Sequence, residues 1–315
     1  MAPYISPEWL TLEKEMGERP LLSGSFETYQ RNAKLIEEYI AAHLPARNDD
    51  QDRKTNTDIT VRVYTPINVN EQLPIGIYCH EGGFCEGTLE TGDPLCRSVA
   101  EDLPCIIISL DYRKAPKVPI QTVFQDALDG FIWTYEHAAS LGGDQNKIFM
   151  FGCSAGGSLS LGTAHKLIEL GRKGQLKAVL NLAGGTVHPD NVPEKLRSLY
   201  RAMDENAEGV PIIDRDAAQI INNVAGLNAA ANDPWIFPVL SRHLADFPST
   251  YLASCGADPL RDDNVVLESL LKKEGVTVSS DMYPGMPHLF WNFPTLESSK
   301  LFVQNLVGQI RSLLD

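Results

Sequence analysis

The stretch FGCSAGGS, Phe151–Ser158, decides how the rest of the chain is read. Ser154 stands between Gly152 and Gly156, with the apolar run Lys147-Ile148-Phe149-Met150-Phe151 before it and a small-residue, then apolar, stretch after it. A Gly-x-Ser-x-Gly pentad alone is weak, because about one chain in ten of this length would hold one by chance at ordinary glycine usage. Its setting is stronger. A strand that turns sharply into a helix forces its central serine into a strained, exposed position at the end of a sheet. Ala155-Gly156-Gly157 supplies residues small enough for helix and strand to approach closely.

On either side of this stretch, short β-type runs alternate with longer helical periods, the pattern of a mainly parallel sheet covered by helices on both faces. The strands expected are 59–64, 75–79, 105–110, 147–151, 178–182, 250–254 and 276–280, several of them nearly continuous in apolar residues. Between them Ile120, Val123, Phe124, Ala127, Leu128, Phe131, Ile132 and Tyr135 recur at helical steps, as do Val266, Leu267, Leu270 and Leu271 before Gly275. Phe302, Leu306, Ile310 and Leu313 mark a final packed helix. Two regions break the alternation. Residues 1–45 read as amino-terminal helices, with Tyr29, Ala33, Ile36 and Ile40 on one face. Residues 187–235 are a long excursion with prolines at 189, 193 and 211, and such excursions in a compact fold are usually functional. The polar stretch RNDDQDRKTN, 47–56, reads as an exposed linker.

A net charge of −14 and a pI near 4.9 oppose a broad electrostatic grip on nucleic acid or anionic lipid. No run of about eighteen apolar residues predicts a membrane span, and the amino terminus lacks a basic region followed by an apolar core, so the expected address is cytoplasmic. The six cysteines show neither CxxC pairs nor zinc spacing and read as reduced, packed thiols. The seven histidines form no HExxH or similar cluster, so neither metal nor cofactor is expected. A homodimer is left open.

A serine hydroxyl is a poor nucleophile until a base takes its proton, and a third group must orient that base. The chain supplies both in order: Asp258 follows the expected strand 250–254 in GADPLRDD, and His288 follows the next strand in PGMPHLF. Serine, acid, histidine is the chain order of the strand–elbow–helix hydrolases. Asp262 and Asp263 stand as alternatives to Asp258. A tetrahedral oxyanion also needs donors. The glycine-rich His80-Glu81-Gly82-Gly83-Phe84 follows the strand 75–79, and the amide of Ala155 comes directly after the nucleophile.

Taken together, these residues resemble the hormone-sensitive-lipase-like carboxylesterases of the α/β-hydrolase fold, over about Thr57 to Leu314. The resemblance rests on HEGGF against that family's HGGG loop, Asp111-Tyr112-Arg113-Lys114-Ala115-Pro116 against YRLAP, GCSAGG against GDSAGG, DPLRDD, and Gly285 to His288 as GxxH. It implies a catalytic core of 46–186 and 236–315 under a cap built from 1–45 and 187–235. It assigns Ser154, Asp258 and His288 to the triad and Gly82, Gly83 and Ala155 to the oxyanion hole. The family position of the acid is the first aspartate of DPL. Fungal members acting on acylated natural products are also similar. Two departures stand out: Glu81 replaces the first glycine after the loop histidine, and Cys153 replaces the aspartate before the nucleophile. The Cys153 side chain is expected to point away from the substrate carbonyl, and His80 to bond the loop backbone.

The expected activity is therefore hydrolysis of a small to medium hydrophobic carboxylic ester, lactone or thioester through an acyl-enzyme. A dehydratase, cyclase or polyketide-releasing thioesterase using the same triad, and a non-catalytic ligand receptor, are the rival readings. Glu81, Phe84, Tyr200, Trp235 and Leu289 are the candidates for touching substrate. In the cap, Trp9, Phe26 and Met203 join Tyr200 and Trp235 as candidate pocket residues. His188 and His243 have no assigned role.

Overall fold

The computed structural model describes residues 2–44, 59–66 and 71–315, and the backbone of Gln51–Lys54. In chain order the strands are β1 (Gln51–Lys54), β2 (Thr60–Tyr64), β3 (Leu73–Cys79), β4 (Ile106–Asp111), β5 (Gly143–Cys153), β6 (Ala178–Leu182), β7 (Ser249–Ala257) and β8 (Val278–Pro287). They form one sheet in the order β1-β2-β4-β3-β5-β6-β7-β8. The first two pairings, β1 with β2 and β2 with β4, are antiparallel; all others are parallel. All seven expected strands are present. The eighth, β1, corrects the linker reading for Gln51–Lys54. Four polar residues carry no apolar alternation, yet an edge strand needs only backbone pairing on one side. The remainder of 47–56 lies outside the described residues.

Alternation along each strand splits the core in two. Ile75, Ile77, Ile106, Ile108, Ile148 and Met150 face one side, packed with Phe124, Phe131, Leu159 and Val266. Those partners come from α4 (Ile120–His137), α5 (Ala155–Glu169) and α8 (Arg261–Lys273). Tyr78, Ile107, Phe149, Phe151 and Cys153 face the other side, against Val99, Phe302, Leu306 and Ile310. These belong to α3 (Asp93–Asp102) and α9 (Glu297–Leu314). Both faces of the sheet are thus covered, which is why its central strands are apolar almost throughout.

The amino-terminal segment holds α1 (Pro7–Met16) and α2 (Phe26–Ala42). The long excursion holds short 3-10 turns, α6 (Ala202–Glu205) and α7 (Arg215–Val224). The two are joined directly. Leu22 N donates to Ile212 O (2.8 Å), Ile212 N to Pro20 O (2.7 Å), and Arg19 Nη1 to Gly209 O (2.5 Å). These bonds tie the amino-terminal segment to the excursion.

Candidate active site

The parallel strands β5, β7 and β8 deliver their last residues to one edge of the sheet. At the end of β5 the chain turns into α5 through Ser154, whose φ of 51° and ψ of −120° are strained for a residue with a Cβ. The surroundings enforce that conformation: Ser154 N donates to Leu182 O (2.8 Å), and a Cβ at Gly156 would stand 1.9 Å from the Cys79 carbonyl oxygen. Only glycine lets α5 begin so close to β3.

Asp258 follows β7 and His288 follows β8, both almost wholly buried. His288 Nδ1 donates to Asp258 Oδ2 (2.6 Å), and Ser154 Oγ lies 2.9 Å from His288 Nε2, where it donates. The other Asp258 oxygen accepts from Leu260 N (2.8 Å), and Asn206 Nδ2 donates to the Asp258 carbonyl (2.9 Å). Geometry separates the three aspartates that the sequence left open. Asp262 Oδ2 accepts from Arg201 N and Ala202 N (2.7 Å each), and Asp263 Oδ1 from Thr186 N (2.8 Å) and Val187 N (3.2 Å), so both anchor the excursion. Burial pushes the Asp263 carboxyl up to about 7 in spite of those amides.

Gly82 and Gly83 both lie at positive φ, 124° and 59°, the first open essentially to glycine alone. Their loop is held from below. His80 Nδ1 donates to Glu81 O (2.6 Å), Tyr112 Oη donates to His80 O (2.7 Å), and the two rings stack at 4.2 Å. Burial, followed by the nearby Lys114 charge, holds the His80 imidazole down at about 3, hence neutral. Its expected service to the loop backbone is what the structure contains.

Two cavities meet at Ser154. One, about 1040 Å³, is lined by Gly82, Gly83, Glu81, His288 and Leu289 and roofed by Tyr29, Ala33, Ile36 and Ile40 of α2. The other, about 60 Å³, is lined by Gly83, Phe84, Ala155, Tyr200, Met203 and Asp263. Ile213 and Ile221 line both. Glu81, Phe84, Tyr200, Leu289 and Met203 thus border the site, but Trp235 lines neither cavity. Its ring packs edge-on to Phe124 (6.2 Å) under the Lys166 ammonium (4.8 Å), because the excursion has by then returned to the α4–α5 face. Trp9 is sealed edge-on against Phe293 (4.9 Å), and Phe26 packs beside Tyr29 outside both cavities. His188 and His243 are also absent from the cavity walls.

Cys153 is fully buried on the α3–α9 face, and burial, reinforced by the Glu81 charge, raises its thiol well above the ordinary range. It is a neutral packing residue and no rival to Ser154. All six cysteines are unpaired and buried. Among the described residues no cluster of three or more His, Cys, Asp or Glu is placed to hold a metal, and no helix is long and apolar enough to cross a membrane. Sequence reasoning missed Tyr78, Asn206, Ile221 and Asn292. None belongs to a motif: Tyr78 and Asn292 flank the HEGGF and PGMPH stretches, whereas Asn206 and Ile221 reach the site from the long excursion.

A strained serine after a central parallel strand, hydrogen-bonded in series to a histidine and a buried aspartate, defines the class of α/β hydrolases. The family model described as alpha/beta hydrolase fold matches residues 76–292, and the chain belongs to that family, in its hormone-sensitive-lipase-like branch. Versiconal hemiacetal acetate esterase of the fungus Dothistroma septosporum is 37% identical, over 100% of this chain and 96% of its own. A hyperthermophilic esterase from the archaeon Pyrobaculum calidifontis superposes with a TM-score of 0.81 at 27% identity, covering 99% of each chain. Vibralactone cyclase superposes with a TM-score of 0.87 at 26% identity, covering 99% of this chain and 95% of that one.

Proposed function

We propose that Ser154 is the nucleophile of this carboxylic ester hydrolase, and that its substrates join a short acyl group to a bulky, largely apolar alcohol. The observation that carries the reading is the unbroken relay Ser154 Oγ–His288 Nε2, His288 Nδ1–Asp258 Oδ2. Ser154 Oγ attacks the ester carbonyl as its proton passes to His288 Nε2, and Asp258 stabilises the imidazolium. The amides of Gly82, Gly83 and Ala155 receive the oxyanion. Collapse breaks the acyl–oxygen bond, His288 returns the proton to the departing alcohol, and water releases the acyl group by the same steps in reverse role.

The partition of substrate follows from where the acid stands. His288 borders the large cavity and not the small one, so the alcohol it protonates leaves through the large cavity. The acyl group then occupies the small cavity, whose volume of about 60 Å³ holds roughly two or three heavy atoms. That asymmetry supports an acetyl-sized acyl group, in keeping with the acetate in the fungal relative's name. It weighs against a polyketide-releasing thioesterase or a cyclase, whose large acyl chain would have to fit there. It also favours a role like that relative's, on an acylated natural product.

The test is labelling by a fluorophosphonate together with kcat/KM for a series of esters of one bulky aryl alcohol. Wild type should label and Ser154→Ala should not, and acetate should exceed hexanoate by tenfold or more. Full activity in Ser154→Ala sinks the mechanism, and a preference for hexanoate sinks the partition.

A further inference from the structure

The two motif departures, Glu81 and Cys153, meet in one buried cluster. The Glu81 carboxylate is 6% exposed; Oε2 accepts from Tyr78 Oη (2.7 Å) and Oε1 from Asn292 Nδ2 (2.6 Å). The Cys153 thiol sits against that same Tyr78 hydroxyl and against the Trp291 indole. Glu81 belongs to the loop carrying Gly82 and Gly83, Cys153 precedes Ser154, and Trp291 and Asn292 belong to the turn that follows His288. One carboxylate therefore spans the oxyanion loop and the histidine loop, directly above the residue that leads into the nucleophile. Buried charge-assisted hydrogen bonds of this kind fix geometry because leaving either partner unpaired is costly.

We propose that Glu81 is a positioning residue: through Asn292 it holds the oxyanion loop in register with the histidine loop, supplying from the HEGGF segment the carboxylate that Cys153 lacks. The assignment rests on the preceding reading of Gly82, Gly83 and His288. It explains why the two departures occur together. An aspartate at 153 would bring a second carboxylate into a cluster already holding Glu81, whereas a glycine at 81 would leave Tyr78 and Asn292 without an acceptor. Loop register acts on the transition state, since displacements near 1 Å cost about a hundredfold in rate.

The experiment is an exchange of partners. Glu81→Gln removes the charge and can keep both bonds only if Asn292 turns its oxygen towards the new NH2, Asn292→Asp sets two carboxylates face to face, and the double variant E81Q/N292D restores one donor and one charged acceptor with the roles reversed. Each single variant should lower kcat at least tenfold with KM changed less than threefold, while its melting temperature stays within a few degrees. The double variant should return kcat to within about threefold of wild type. A loss confined to melting temperature, kcat within twofold in both single variants, or a folded double variant as slow as the singles would overturn the proposal. If a single variant does not fold, the double variant decides alone. Fluorophosphonate labelling of wild type separates the two failures: no label on Ser154 refutes the underlying mechanism, whereas normal labelling with unaffected Glu81→Gln turnover refutes only the role of Glu81.

Discussion

Replacing Asp263 by asparagine should make the protein more stable at pH 8 and slightly less stable at pH 4. Asp263 is 1% exposed; one oxygen is held by the Thr186 and Val187 amides, and the Tyr200 hydroxyl lies beside the carboxyl. Burial raises its carboxyl from 3.8 to about 7, with Asp258 adding repulsion, because the two amides and the Tyr200 hydroxyl do not offset the loss of water around the anion. The sign follows from proton counting. Between about pH 4 and pH 7 the native state keeps a proton that the unfolded chain has released, so stability falls as pH rises through that window and levels off above it. A shift of roughly three units at 1.36 kcal/mol each gives about 4 kcal/mol. Asparagine imitates the neutral acid and keeps the acceptor for Thr186, but its buried NH2 group costs about 1–2 kcal/mol if unpaired. The net expectation is a gain of about 2–3 kcal/mol at pH 8, some 4–6 °C at about 2 °C per kcal/mol for a chain of this size, and a loss of about 1–2 kcal/mol at pH 4. Thermal unfolding of both proteins from pH 4 to pH 9 reads this directly. A difference between them that does not vary with pH would refute the reasoning, whatever its size.

Two further outcomes follow from packing at the elbow and around the acyl cavity. Gly156→Ala places a Cβ 1.9 Å from the Cys79 carbonyl oxygen, backbone that cannot yield, and should cost more than about 3 kcal/mol in urea unfolding along with most esterase activity. A variant within 1 kcal/mol of wild type and fully active would show that α5 does not depend on that contact. Met203→Ala opens the wall of the small cavity and should move the preferred acyl length up by one or two carbons in kcat/KM. An unchanged chain-length profile would place the acyl group elsewhere.

The layered α/β architecture was legible because its signals are local: near-continuous apolar runs, helical spacing in 120–135, and turns rich in glycine. The order of the proposed triad was legible for a different reason, since a serine elbow, an acid and a later histidine each sit just past a readable strand. What lacked a signal was anything decided by distance across the chain. The DPL motif singles out Asp258 among three aspartates within six positions, but nothing in the sequence announces that Asp262 and Asp263 anchor Arg201, Ala202, Thr186 and Val187. Trp235 was misplaced on the same account, because an aromatic in an excursion says nothing of where the excursion turns back. Gln51–Lys54 is polar throughout and carries no apolar alternation, so nothing in its sequence marks it as a strand.

The site's shape is also a long-range product. The apolar face of α2 serves twice: Ala33, Ile36 and Ile40 pack against the α3–α9 core cluster and also border the large cavity, while the segment before α2 is tied to Ile212. An apolar stripe reports that a face is kept from bulk water, and a hydrophobic ligand meets that demand as well as a neighbouring helix does. The same stripe that stabilises a packed helix elsewhere here also faces the cavity that His288 borders, the residue that in the proposed mechanism hands a proton to the leaving alcohol. The proposed preference for a large apolar alcohol and the seating of the amino-terminal segment therefore depend on the same contacts. Loosening the Leu22–Ile212 contact should therefore raise KM for bulky esters before it lowers the rate on small ones.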